Sequence, residues 1–598
     1  MKKLWSLILA LALMLTCCAG IAEEVITEIP REEAMYMNGQ CWGIPTNYNV
    51  FALSNTGWPV GGGERMLVYE DLYMFNMLTN ENEPLIAESA PVWEDEFNFT
   101  VKIKENVHFQ DGEALTADDV VYTFNIANEA NGGYYTTWSS VWTYLEKVEK
   151  VDEYTVRFTI PAEPYNKLYV PAQLAFISII PQHTSEKLFA ECENDIAKVR
   201  EHFGIVNGTG AYKPYFWDET RVVAIRDDAY WGQAENMFGK LSEVKYIVHP
   251  IFVDNAAGNL AMEQGMIDIA QQFTTNQKGL HEIVDENGTP LYKTWLDEAP
   301  YQLGAGSPSL IFNLQADAEG LNDPIVHKAI ALALDYEAIA QNAMDGQTKA
   351  LVPCFLNPDL YDKYIDWDNE DLQNLMWDTT AVDDNLALAN KMLHDAGYID
   401  TDNDGIRELP SGAKHEWKAE CPTGWSDWNA SLEILCESAK KIGLNIVTYF
   451  PESSVYNVDL QTGKFDIIMN SPYGALNTAQ PWNSFYSVMY RGDVPEIGTE
   501  ATHNYNRYGN EEMDALINEL AATDDLEIQK EIVTELIIQW LKDMPTVQLM
   551  YRPAYFHTSY EGVWKGMPSE ATTGTAIPPT VNELNAGIKA LYNLTPAK

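Results

Sequence analysis

Phe97-Asn98-Phe99-Thr100-Val101-Lys102-Ile103-Lys104, then Asn106-Val107-His108-Phe109-Gln110-Asp111-Gly112-Glu113, then Leu115-Thr116-Ala117-Asp118-Asp119-Val120-Val121-Tyr122-Thr123-Phe124: this stretch decides how the chain is read. Its first eight residues alternate apolar and polar, the pattern of a half-buried strand. Asp111-Gly112 is a hairpin turn signal. Thr116 is placed to cap a helix, and Asp119, three residues on, sits where a capping-box acid meets the positive helix end. Val120, Val121, Phe124 and Ala127 supply that helix with a buried face.

The same mixture of short strands and helices extends both ways. Tyr154 to Ile160 alternates like a second strand. Gly208-Thr209-Gly210-Ala211-Tyr212 is a glycine turn leading into a strand pair whose second member is Arg221 to Arg226. Asn322-Asp323-Pro324 opens a helix, with Asp323 capping and Pro324 at the first helical position. Helices are expected over Leu386 to Ala396, closed by Gly397, and over Leu432 to Ile442, closed by Gly443. Two more are expected over Glu511 to Leu520 and Ile528 to Leu541. The pattern is α/β, without repeats and without a linker long enough to separate independent domains. Gly61-Gly62-Gly63 is a flexible break before an apolar stretch from Met66 to Met77.

The charge excludes several functions. The chain has 598 residues and a formal net charge of −50. Phosphate backbones and anionic lipid surfaces would repel it. An apolar fraction of 46% separates it from a disordered acidic tail. It is expected to be a self-repelling monomer. Lys2 and Lys3 followed by the apolar run Leu4 to Leu15 fit a secretory signal, too short to span a bilayer. Two processing readings stay open: lipidation at Cys18 after Leu15-Thr16-Cys17, or cleavage after Gly20-Ile21-Ala22, giving a signal peptide over 1–22. Beyond it stand Cys41, Cys192, Cys354, Cys421 and Cys436, an odd and sparse set that favours buried free thiols over a disulfide framework.

Together with Ile86-Ala87-Glu88-Ser89-Ala90, the opening stretch resembles the signature block of the bacterial extracellular solute-binding proteins of family 5. These are the peptide, nickel and oligosaccharide receptors of ABC importers. Asn207 to Tyr212 resembles the family's glycine turn, with Ala211 replacing the usual Pro. Further resemblances are Asp323 to Ile339, Ala396-Gly397-Tyr398 with Asp402 to Glu408, and Arg507 to Asp514. The resemblance implies an α/β periplasmic-binding-protein type II clamshell with an extra inserted domain. Lobe I would comprise 23–65, 205–300 and 544–598. The inserted domain would fill 66–204 and lobe II 301–543. The implied role is capture of an oligopeptide- or oligosaccharide-sized solute in an interlobe cleft and its delivery to the importer's permease.

The class of ligand is left open between two chemistries. In the family's peptide receptors an Asp before a Pro often holds the ligand's amino terminus. Counting back from Pro481, that place falls on Asn477, which carries no charge for an ammonium group. Sugars call for flat aromatic faces rimmed by amides and carboxylates. Trp42 and Asn47, in Trp42 to Asn49, and Trp425 and Trp428, in Gly424-Trp425-Ser426-Asp427-Trp428, resemble segments of the oligosaccharide-binding branch. Tyr473 and Trp482 flank the Asn477 segment. The site residues expected to touch ligand are therefore Trp42, Asn47, Trp425, Trp428, Tyr473, Asn477 and Trp482. Asp400, Asp402 and Asp404 match the first half of a calcium loop, but its twelfth position is Ser411 rather than Glu. No nucleophile elbow, paired-His zinc motif or P-loop occurs. A secreted hydrolase acting on the same ligands is the rival reading, and no catalytic residue is nominated for it.

Overall fold

A computed structural model describes residues 25–39, 41, 43–53, 57–60, 67–79, 81–304, 306–315, 318–349, 351–472, 481–492, 494–553, 556–572 and 587–597. The signal segment with Cys18, and the expected ligand contacts Trp42, Tyr473 and Asn477, lie outside the described residues.

The strand, turn and helix expected over 97–124 form as Asn98–Lys102, a bridge from His108 to Ala114 across Asp111-Gly112, and Ala117–Ile126. The Asp118 amide donates to the Thr116 hydroxyl at 3.3 Å, and the Thr116 amide donates to Asp119 at 3.0 Å. The other Asp119 oxygen accepts from the amide of Gln182, first residue of the helix Gln182–Glu191, at 3.0 Å. One carboxylate thus serves two helix starts, which is why it is buried. The strand lies inside a four-stranded antiparallel sheet ordered Val92–Trp93, Asn98–Lys102, Thr155–Thr159, Lys147–Asp152. Phe99 and Phe158 stack across it at 5.1 Å.

This unit is an insertion between the first two strands, in chain order, of a seven-stranded sheet. Edge to edge that sheet runs Tyr292–Thr294, Thr558–Tyr560, Ile269–Ala270, Ala34–Asn38, Tyr246–Pro250, Arg221–Arg226, Tyr212–Trp217. Ala34–Asn38 is parallel to both its neighbours. The glycine turn joins insertion to sheet. A Cβ on Gly208 would fall 1.9 Å from the Val68 carbonyl oxygen, so only glycine fits. The Gln110 side chain donates to the Gly210 and Tyr212 carbonyls at 3.0 and 2.8 Å.

A second sheet runs Ile446–Tyr449, Trp417–Glu420, Ile467–Asn470, Ser309–Phe312, Thr546–Gln548. Its helices obey the expected signals: Asp323 caps Pro324–Ala333, and Gly397 and Gly443 take left-handed φ of 92° and 75° after Val382–Asp395 and Ser426–Lys440. The chain leaves the first sheet after Thr294, enters the second at Ser309, and returns between Gln548 and Thr558. Thr546–Gln548 belongs to the second sheet, so this return crossing falls later than the 543/544 boundary expected above. The two crossings pair with each other, Gly306 and Arg552 exchanging backbone hydrogen bonds of 2.9 Å. Among the described residues no helix is long and apolar enough to cross a membrane.

Candidate functional site: the cleft between two sheets

In sheets with parallel strands, ligands bind beyond the carboxyl ends of the strands. On the first sheet those ends carry Asn38 and, after Ala270, Gln271 and Gln272. Both polar atoms of the Asn38 side chain and both of the Gln271 side chain are buried without a hydrogen-bond partner among the described residues, as is Oε1 of Gln272. The Gln272 amide nitrogen donates to the Asn255 carbonyl and Asn259 Oδ1 at 3.0 and 3.1 Å. Gly258 lets these side chains lie against the helix Asn255–Glu263, because a Cβ there would meet Gln272 and Asn38 within 3 Å. Buried amides without partners are costly unless something else fills their bonds. A cluster of such amides at the carboxyl ends of the strands marks where a polar guest could fill those bonds.

The facing wall begins at the carboxyl end of Trp417–Glu420. The chain turns through Cys421 and Pro422 into the helix Ser426–Lys440. Trp425 remains 43% exposed while Trp428 is 5% exposed, and their rings meet edge to face at 4.9 Å. Among the described residues the indole N–H of Trp428 has no hydrogen-bond partner. Asn255 on the first wall reaches Ser426 on the second at 3.4 Å, so the walls touch. At the floor, Phe273 packs on Phe556 at 5.5 Å, and the Arg552 guanidinium lies 4.7 Å over the Phe556 ring. Arg552 Nε donates to the buried Asp427 carboxylate at 2.6 Å.

The structure therefore brings Trp425 and Trp428 together at the helix start that meets Asn255. Asn47 sits in a half-buried turn, its side-chain oxygen accepting from the Asn49 amide at 3.1 Å. Trp482 is buried in a different cluster. It meets Tyr144 and Tyr169 of the insertion edge to face, each at 5.7 Å, and stacks on Tyr486 at 4.9 Å. Sequence reasoning missed Asn38, Gln271, Gln272, Asp427 and Arg552. Only Asp427, between the two tryptophans, carried any signal, and its partner lies 125 positions away.

One group among the described residues has metal-ligand spacing: Asp400, Asp402 and Asp404, with carboxylate atoms within 4.8 Å of one another. Lys414 lies across it, its ammonium 2.7 Å from Asp402 and 2.5 Å from Asp404, and the Gly405 amide donates to Asp400 at 3.0 Å. An internal cation thus answers the charge of this loop. The five cysteines are buried and unbridged, and burial raises the thiols of Cys421 and Cys436 to about 12 and about 11.

Residues 81–494 match the family described as bacterial extracellular solute-binding proteins, family 5 Middle. The chain belongs to this family. This family 5 protein is 24% identical over 568 residues to the oligopeptide-binding protein AppA of Bacillus subtilis (strain 168), covering 91% of this chain and 92% of that one. Its fold matches a periplasmic oligopeptide-binding protein of an oligopeptide ABC transporter from Thermotoga maritima, solved with mannohexaose bound. The TM-score is 0.80 at 28% identity, over 95% of this chain and 99% of the other. The structure of AppA with a nonapeptide gives 0.70 at 20% identity, covering 94% and 99%. The type II clamshell architecture is thereby shown, and with it a family of binding proteins rather than enzymes.

Proposed function

We propose that this family 5 protein is the extracytoplasmic receptor of an ABC importer, that it closes on a neutral oligosaccharide, and that it hands this guest unaltered to the permease. One observation carries the sugar reading. Among the described residues, the cleft's unanswered hydrogen-bonding groups are the amides of Asn38, Gln271 and Gln272, the Trp428 indole and one carboxyl oxygen of Glu420, whose proton burial retains, whereas Asp427 and Arg552 answer each other. Hydroxyls both donate and accept, so they can satisfy amide oxygens and nitrogens alike, and C–H faces of a sugar ring suit indole. The mannohexaose complex of the 28% identical protein supports this reading. The name of the Bacillus subtilis relative favours peptides instead, and peptide is the second reading. The two lobes and the insertion would divide as the sheets do, and the leader would be processed either at Cys18 or after Ala22.

The test is titration calorimetry against manno- and gluco-oligosaccharides of two to six units and peptides of two to nine residues. Saturable binding of a sugar, with no binding by peptides and no product on incubation, is expected. A ligand at 100 times its Kd should stabilise the fold by about 2.7 kcal/mol. Binding of peptides alone would overturn the sugar assignment, and turnover of any ligand would overturn the receptor.

A further inference from the structure

The helix that carries the two cleft tryptophans is clamped at its start in two directions. Within its own lobe, the Asn429 side chain donates to the Pro422 carbonyl at 2.9 Å and to Cys421 Sγ at 3.0 Å. The other clamp leaves the lobe. Asp427, 1% exposed and set between Trp425 and Trp428, accepts from Arg552. Arg552 is not a residue of either sheet. It stands on the return crossing, and its backbone is tied to Gly306 on the outgoing crossing. Its guanidinium rests on Phe556, which packs on Phe273 directly after Gln271-Gln272. A continuous set of contacts therefore runs from the amide wall, through the crossing strands, to the aromatic wall.

We infer that Arg552 is a positioning residue which couples the angle of the hinge to the placement of Trp425 and Trp428, acting through Asp427. The inference rests on the receptor reading for its purpose, though not for its test. Any rotation about the paired crossings moves the Arg552 backbone. A short charge-assisted bond to a buried carboxylate transmits that movement to the first turn of the tryptophan helix. The bond also gives the buried Asp427 carboxylate an opposite charge at contact distance. A hinge free of this tie would open without repositioning the indoles, and ligand contact would no longer favour closure.

Two variants and two readouts decide it. Arg552→Met removes the tie, and Arg552→Lys retains the charge without the planar fork. Spin labels placed on the two rims report the opening of the protein without any ligand. Arg552→Met should broaden the distance distribution and shift it outward, with Arg552→Lys intermediate. Titration with mannohexaose should then show affinity falling at least tenfold for Arg552→Met and less for Arg552→Lys. Folding is followed by the melting midpoint of each unliganded variant, and Arg552→Lys carries the test should Arg552→Met not fold. Unchanged rim distances in folded variants would overturn the coupling. If the unsubstituted protein ignores mannohexaose, the sugar reading fails while the rim distances still judge the hinge.

Discussion

Trp425 and Trp428 are neighbours in one turn of helix with opposite surroundings, and substitution separates what each does. Trp425 is 43% exposed, so on the proposed sugar reading Trp425→Ala should lower ligand affinity by about 1–3 kcal/mol and leave the denaturation midpoint nearly where it was. Trp428 is buried, so Trp428→Ala should lower affinity and also cost about 3–5 kcal/mol of stability through the cavity it leaves. Calorimetry and urea unfolding on the same samples check both. Glu420 offers a test in pH. It is buried at the end of its strand with one carboxylate oxygen unpartnered. Burial first, then Asp459 and Asp466, with Lys418 opposing, push its carboxyl from 4.5 up to about 8. The folded chain holds a proton that the unfolded chain releases between those values. This contribution to stability is complete below about 4.5 and is lost as the pH rises through about 8. Glu420→Gln removes the ionisation and should make the protein more stable than the unsubstituted one at pH 8, by about 1–3 kcal/mol. The advantage should vanish near pH 4.5. An equal gap at both pH values would mean that Glu420 does not ionise in this range.

At the scale of elements, Thr116 has a definite role that is remote from the cleft. Thr116→Ala should cost about 1 kcal/mol in urea unfolding and leave sugar affinity unaltered. Elements of this kind were legible in the sequence, because their causes are local. Thr116 and Asp119 are three residues apart, Asp323 and Pro324 are adjacent, and Gly397 and Gly443 each end a helix by their own backbone freedom. The site was legible only where it is local too. Trp425 and Trp428 share one helix start, so their closeness to each other was readable from their spacing. The amide wall did not, since Asn38 and Gln271 stand 233 positions apart and meet only through strand pairing. Nor did Arg552, whose environment is made by a crossing strand rather than by its chain neighbours. Trp482 illustrates the reverse case. A polar, proline-flanked segment made it look like a ligand contact, and nothing in its own stretch signalled the two tyrosines from the insertion that pack against it.

That aromatic cluster matters at the scale of the whole molecule, because it joins the insertion to the second lobe while Gln110 fastens the insertion to the first. The insertion thus touches both sheet-bearing parts of the chain, through Gln110 on one side and Tyr144 and Tyr169 on the other. Tyr169→Ala removes one member of the cluster from the insertion's side. Aromatic pairs contribute about 0.5–1.5 kcal/mol, so release of bound sugar should quicken by about 2- to 10-fold, with little change in the rate of capture. Stopped-flow displacement measures this directly. An unaltered release rate would confine the cluster to holding the insertion in place. The burial of all five described cysteines has a practical corollary for such motions. None of these five described thiols is open to a maleimide dye. Two cysteines engineered onto opposite rims would then be labelled in preference to these five, and fluorescence energy transfer between the dyes could follow the jaws of a single molecule in real time.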